Sequence, residues 1–144
     1  MLGKTHHVDS EAATHQLAAE FADALRPGDL VSLLGPLGAG KTTFVRGVMR
    51  AMGYAGRVRS PTFTLINPYP TTPPVHHADV YRLSDPDELV ALGLDDIREE
   101  GGVLLIEWAD RIPELDDAAT WRITITPDAN DLDRRVIEIS DCRQ

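Results

Sequence analysis

Cysteine is almost absent from this sequence, since Cys142 is the only one among 144 residues. A single thiol can form neither an internal disulfide nor a metal site built from several thiolates. Also missing is an apolar run of the roughly 18 residues that a membrane span needs. The first residues include His6, His7 and Asp9 in place of an apolar signal core. We therefore expect a soluble, cytoplasmic protein with no membrane contact.

Positive charge is scarce as well. The chain has 14 Lys and Arg against 23 Asp and Glu, a net charge of -9. Such a charge repels polyphosphate at long range, which argues against an independent nucleic-acid binder. Any contact with RNA is expected to go through a partner. The hydrophobic share of 42% is that of a globular chain, and the length predicts one domain spanning residues 1–144.

Four apolar segments predict the sheet of this domain. Leu30–Leu34 and Val103–Ile106 are apolar on both faces, which is typical of buried parallel strands. Trp121–Ile125 and Val136–Ile139 alternate in polarity, which predicts an antiparallel hairpin. The fold class is therefore α/β, with a mainly parallel central sheet and antiparallel strands at its margins.

Between these segments the sequence predicts further elements. The stretch from Phe63 to Tyr69 is expected to be extended, and the stretch from Val75 to Tyr81 to be the returning strand. Asp85 to Glu100 predicts a short acidic helical region, with Pro86 in its first turn.

A glycine-rich turn follows the first buried strand and opens a helix. Its residues match G-x-x-x-x-G-K-[ST] and run from Gly35 to Thr42. In the context of strand, turn and helix this pattern is a phosphate-binding loop, whose backbone N–H groups converge on phosphate oxygens. Lys41 is predicted to reach the β- and γ-phosphates, and the Thr42 hydroxyl to bind Mg²⁺. The chain is therefore predicted to be a P-loop NTPase.

A phosphate loop also needs an acidic magnesium ligand at the end of a neighbouring strand. Glu107 stands in that place, directly after the second buried strand. The alternative is a solvated carboxylate at a strand end. Trp108 is open to two interpretations, as part of the site or as ordinary packing.

Four separated motifs together resemble one family, the bacterial TsaE (YjeE) proteins, which are small ATPases of tRNA threonylcarbamoyladenosine synthesis. The motifs are LGAGKTTF at 37–44, SPTFTL at 60–65, HADVYRL at 77–83 and EWADR at 107–111. The resemblance runs from about residue 5 to the final hairpin. The sequence departs from the family pattern at Pro36, where Asp is usual, and at Pro68, where Glu is frequent.

The resemblance implies roles for individual residues. Residues 38–43 (Gly38, Ala39, Gly40, Lys41, Thr42, Thr43), together with Leu37, would hold the triphosphate of ATP, and Thr42 and Glu107 would hold Mg²⁺. Ser60 to Thr64 would be a switch-like segment that senses the γ-phosphate, unless it is only a proline-started edge strand. Asp79 would orient water or a magnesium ligand, unless it only forms a salt bridge to Arg82. Asp110 would approach the nucleotide.

Two groups of residues remain open at this stage. His6, His7, His76 and His77 come in adjacent pairs without ligand spacing, so a structural zinc site is not expected. Arg46, Arg50, Arg57 and Arg59 concentrate positive charge after the loop. They are either a solvated helix face or a docking patch for a partner or tRNA.

As a whole, the resemblance implies slow ATP hydrolysis by the isolated chain, in the service of a complex with TsaB and TsaD. That complex modifies the adenosine beside the anticodon in tRNAs that read codons beginning with A. A small-molecule kinase is one rival function, although the acidic stretch from Ser84 to Glu100 does not suit its acceptor site. An ATP-sensing scaffold that does not hydrolyse ATP is the other.

Overall fold

The computed structural model describes residues 5–36, 38–61, 65–83, 85–131 and 133–143. Within these residues seven strands form one sheet. The strands are β1 (Thr5–Val8), β2 (Leu30–Leu34), β3 (Ile66–Tyr69), β4 (Val75–Asp79), β5 (Val103–Glu107), β6 (Trp121–Pro127) and β7 (Arg135–Asp141). The helices are α1 (Glu11–Ala22), α2 (Lys41–Ala51), α3 (Pro86–Ala91), α4 (Leu94–Glu99) and α5 (Pro113–Asp117), with a 3₁₀ turn at Ala109–Arg111.

The strand order is β1-β7-β6-β2-β5-β4-β3. The four central strands β6, β2, β5 and β4 are paired in parallel, whereas β1, β7 and β3 join antiparallel at the two margins. The predicted fold class is confirmed. Parallel strands place their carboxyl ends at one edge, so the phosphate loop after β2 lies beside the ends of β5 and β4.

Helices cover both faces of this sheet, and each face has its own apolar core. Because side chains alternate along a strand, β5 sends Val103 and Leu105 to one core and Leu104 and Ile106 to the other. Helices α1 and α2 cover the first core, where Phe21 packs edge-on against the Trp121 ring at 5.2 Å. Strands β2 and β5 are buried on both faces, as their sequences predicted, because helices pack against each side of the sheet.

Several elements differ from the sequence expectations. Strand β1 was not predicted, because its sequence is short and polar and it forms only by pairing with β7. Strand β4 ends at Asp79, where the Asp79 carboxylate accepts a hydrogen bond from the Tyr81 N–H and turns the chain. The acidic helical region is two helices, because Gly93 adopts φ +70° between them.

Pro68 lies in β3, which forms one edge of the sheet. A proline is tolerated there because an edge strand leaves alternate N–H groups unpaired. In the part of the chain that the structure describes, no helix is long and apolar enough to cross a membrane.

Candidate functional site: the phosphate loop and the ends of β4 and β5

The phosphate loop is shaped by close contacts as well as by glycine conformations. A Cβ on Gly35 would lie 2.5 Å from the carbonyl oxygen of Ile125 on β6, so only glycine fits there. Gly40 has φ +105° and begins α2 without a side-chain cap. The first N–H groups of α2 are therefore left for an outside acceptor, and they carry the positive end of the helix dipole.

Lys41, the first residue of α2, turns its ammonium group back under the loop. Its Nζ donates to the carbonyl oxygen of Gly35 at 2.8 Å and lies 3.7 Å from Oε1 of Glu107. The side chain is only 5% exposed. The structure thus brings together the loop lysine and the acid at the end of β5, two residues that the sequence assigned to one site.

Burial lowers the pKa of Lys41, because desolvation disfavours the ammonium form. The negative charges of Glu107, Asp79 and Asp110 act in the opposite direction. The Lys41 ammonium is therefore poorly solvated, and a phosphate bound beside it would stabilise its positive charge.

Glu107 is not a solvated strand-end carboxylate, since it is only 5% exposed. Its Oε2 lies 2.6 Å from Nε2 of His77, a residue of β4 with no exposed surface. Its Oε1 faces Lys41. One oxygen is thus fixed by an imidazole, and the other faces the phosphate loop.

Asp79 lies beside Glu107, because the two residues are register partners of β4 and β5. It is 8% exposed and accepts a hydrogen bond from the N–H of Tyr81 at 2.9 Å. Asp110 is exposed on the 3₁₀ turn, close enough for its charge to act on Lys41. All three predicted carboxylates are therefore gathered around the lysine.

An aromatic stack covers the outer side of Lys41. The ammonium lies 3.9 Å from the centroid of the Trp108 ring, and Trp108 contacts Tyr81 edge-on at 5.0 Å. The Arg111 guanidinium lies over Tyr81 at 4.4 Å. Trp108 has φ +66°, a costly conformation for a bulky residue. Because its ring lies against the loop lysine, we favour the interpretation of Trp108 as part of the site.

A cleft of about 140 Å³ opens on the other side of the loop. Ala39, Gly40 and Thr43 line it from the loop, and Arg135 lines it from the start of β7. The Nε of Arg135 donates to the carbonyl oxygen of Ala39 at 2.9 Å. This side of the loop therefore also has a guanidinium.

The structure describes only some of the remaining predicted site residues. Leu37 and Thr62 to Thr64 lie outside the described residues, whereas Ser60 and Pro61 lie inside them. The Pro61 carbonyl accepts from the Leu65 N–H, and the Leu65 carbonyl accepts from the Asp79 N–H. Thr42 lies in the first turn of α2 and is partly exposed. The segment after Ser60 is thus hydrogen bonded to the strand that holds Asp79.

Sequence reasoning missed two functional candidates, His77 and Arg135. His77 was quoted in a family motif and considered for zinc, but it was given no role at the site. Residues two apart in a strand share a face, which already placed it with Asp79. Arg135 has no local motif. Only the pairing of β7 with β6 brings it to the loop.

Comparison with known proteins agrees with this geometry. Residues 8–137 match the family model described as TsaE, threonylcarbamoyl adenosine biosynthesis protein. The TsaE protein of Bacillus subtilis is 44% identical over 77% of this chain and 68% of its own. That of Haemophilus influenzae is 36% identical over 78% of this chain and 77% of its own.

Solved structures include a close relative of the fold. The crystal structure of Bacillus subtilis YdiB superimposes with a TM-score of 0.78 and 32% sequence identity. The superposition covers 96% of this chain and 85% of YdiB. The model match, the curated relatives and the shared fold lead to one conclusion: this chain belongs to the TsaE family.

Proposed function

We propose that this protein is a Mg²⁺-dependent ATPase that acts in the cytoplasm with TsaB and TsaD in threonylcarbamoyladenosine modification of tRNA. Its relatives carry the name of a tRNA threonylcarbamoyladenosine biosynthesis protein. The observation that carries the proposal is the 3.7 Å approach of Lys41 in the phosphate loop to Glu107 at the end of β5. Loop lysine and strand-end acid are the two charges that an NTPase directs at triphosphate and metal.

Residues Gly38 to Thr43, with Leu37, hold the triphosphate in this proposal. Lys41 exchanges its hydrogen bond to Gly35 for the β- and γ-phosphate oxygens, which are stronger acceptors because they are charged. The N–H groups at the start of α2 supply further donors. The loop thus binds ATP through backbone geometry and one buried cation.

The cleft beside Ala39 and Gly40 receives the α-phosphate and the nucleoside. It adjoins the loop on the side away from Glu107, and the end of β6 and the start of β7 line it. Thr43 and Arg135 border it with a hydroxyl and a guanidinium, groups suited to phosphate oxygens. Glu11 and Asp133 also line it, and their carboxylates suit the ribose hydroxyls rather than a phosphate.

Thr42 and Glu107 are the residues that hold Mg²⁺. The donors fit this ion, because Mg²⁺ prefers hard oxygen ligands such as hydroxyl and carboxylate. Oε1 of Glu107 is available as a ligand, since its 3.7 Å contact to Lys41 is longer than a hydrogen bond. When bound, the ion would neutralise charge on the phosphate oxygens.

Three further residues support this centre. His77 holds Oε2 of Glu107 and so orients the carboxylate, as outer partners of metal ligands commonly do. Asp79 orients the attacking water or a water bound to the ion, and Asp110 approaches the nucleotide. The segment from Ser60 to Thr64 reports the γ-phosphate to β4, through the hydrogen bonds that lead to Asp79.

The distribution of cations supports the proposed dependence on partners. Efficient phosphoryl transfer commonly uses an arginine, and its absence costs about 10³ to 10⁵ in rate. Arg111 lies over Tyr81 and Arg135 is bonded to Ala39, whereas Lys41 lies 3.7 Å from Glu107. A partner that adds or redirects a cation would accelerate hydrolysis.

Phosphate release by the purified protein tests this function, first alone and then with TsaB, TsaD and tRNA. We expect slow turnover alone and strong acceleration in the complete mixture, together with modified adenosine in the tRNA. Fast turnover that is indifferent to the additions would contradict the proposed role. ATP binding without turnover in any mixture would instead support an ATP-sensing scaffold.

A further inference from the structure

A cleft of about 290 Å³ lies beside the second half of α2, away from the phosphate loop. Arg46 and Arg50 line it from the helix, and Arg57 lines it from the loop that follows. The other lining residues are Ala55, Gly56 and Val58, so the lining contains no carboxylate. Arg50 follows Lys41 by nine residues, which is about 14 Å along a helix. The phosphates of a bound ATP are therefore not the anion that this cleft would meet.

The three guanidinium groups have no acidic partner among the described residues, although the chain has 23 acids and only 14 bases. Elsewhere in the same part of the chain, Arg122, Arg134 and Arg143 form ion pairs with carboxylates. Three cations in one cleft without counter-charges repel one another. A bound anion would relieve that repulsion.

His15 on α1 senses the same charge. Its pKa is lowered, first by burial and then by the charges of Arg50 and Arg46, while Glu11 acts in the opposite direction. Helix α1 packs on α2 with Gly47 against His15, so the helix that carries Arg46 and Arg50 is held in place by its neighbour α1.

The loop that carries Arg57 is also fixed. Tyr54 donates its N–H to the Met49 carbonyl and packs edge-on against Tyr69 at 5.0 Å. A Cβ on Gly56 would lie 2.5 Å from the Tyr54 hydroxyl, so the loop lies directly on that ring. Arg57 is thus held opposite the helix without needing a ligand to order the loop.

We propose that this arginine cleft, formed by Arg46, Arg50 and Arg57, binds backbone phosphates of tRNA. The side chains are all arginine, whose planar fork binds two phosphate oxygens at once. The cleft is open to solvent. It accepts one phosphate and its sugar, while the RNA strand continues beyond the cleft. The choice of tRNA rests on the proposed function. A direct contact with tRNA differs from the sequence expectation that RNA is reached only through a partner. Three arginines in one cleft bind a phosphate at short range, although the overall charge of -9 provides no long-range attraction.

Direct tRNA binding tests the proposal on the full chain, by fluorescence anisotropy of labelled tRNA at low and moderate salt. The test variant is Arg50→Gln with Arg57→Gln, both exposed, and the control is Arg26→Gln with Arg134→Gln, both exposed and outside the cleft. We expect the test variant to weaken binding about tenfold at low salt and to reduce the salt slope by about 1 to 2. The control variant should change the affinity less than about twofold, since it removes the same charge elsewhere.

Equal losses in both variants would overturn the proposal, because they would show a response to net charge alone. Unchanged tRNA binding by the test variant would also overturn it. If a polyglutamate peptide bound the wild type and not the test variant, the cleft would instead be a site for an acidic protein segment. Neither result depends on ATP turnover. Failure of the proposed ATPase function would appear separately, as absent phosphate release with normal tRNA binding.

Discussion

The Nε2 of His77 lies 2.6 Å from the Oε2 of Glu107, in a place where neither side chain is more than 6% exposed. The Nδ1 of the same imidazole is buried and has no hydrogen-bond partner among the described residues. Among the described residues, Glu107 is therefore the hydrogen-bond partner of the His77 ring. Since the opposite oxygen of Glu107 faces the phosphate loop, His77 decides which way the carboxylate points.

Replacing His77 tests this positioning role. We expect His77→Leu to raise the Mg²⁺ concentration for half-maximal phosphate release about tenfold. This is the smaller end of the loss in metal affinity that follows removal of a residue hydrogen bonded to a metal ligand. His77→Gln keeps an N–H donor and should stay within about threefold. Both are measured by Mg²⁺ titration in the complete mixture. If His77→Leu lowered thermal stability and left the Mg²⁺ dependence unchanged, His77 would have only a structural role.

Glu107→Gln removes the negative charge and keeps the shape of the side chain. We expect Mg²⁺-dependent hydrolysis to fall more than about tenfold while the protein stays folded, because an amide is a poor ligand for this ion. Phosphate release and the thermal unfolding midpoint are the two measurements. Glu138→Gln, at an exposed position on β7, is the control for loss of one carboxylate. Normal hydrolysis by Glu107→Gln would transfer the ligand role to Asp79.

Lys41→Ala should lose most of the affinity for ATP, since it deletes the cation directed at the phosphates. Lys41→Met keeps most of the buried stem, and so separates the loss of charge from the loss of packing. We expect both variants to bind ATP poorly in an equilibrium titration, with Lys41→Met the more stable of the two. Wild-type affinity in either variant would contradict the nucleotide site.

The stability of the protein should fall as the pH drops below the ordinary His pKa of 6.5. The pKa of His15 is lowered in the folded protein, so below pH 6.5 the unfolded chain takes up the proton first and is favoured. The contribution is absent above that pH and grows down to the folded pKa. Denaturant unfolding from pH 7.5 to 5.5 should show a smaller loss for His15→Gln than for the wild type. Equal losses would show that burial and the nearby arginines leave His15 unaffected.

Much of the site could be predicted because its residues form local patterns. The phosphate loop is one continuous segment between a strand and a helix, so Gly35 to Thr42 indicated both its shape and its chemistry. Glu107 was placed by a second local pattern, an acid directly after a buried run. Parallel pairing of β2 with β5 then follows from the fold class, which puts Lys41 near Glu107.

The contacts that complete the site are not local, and only the tertiary structure decided them. His77 reaches Glu107 because β4 pairs with β5 in one register. A shift by one residue would turn that imidazole to the other face of the sheet. Arg135 reaches the loop because β7 folds back on β6, and Arg57 meets Arg46 because Tyr54 holds the loop after α2. The sequence by itself thus determined the phosphate loop and the class of fold, since these depend on neighbours along the chain. Orientation of the carboxylate and convergence of the arginines depend on distances between segments far apart in the sequence, which only packing of the sheet and helices sets.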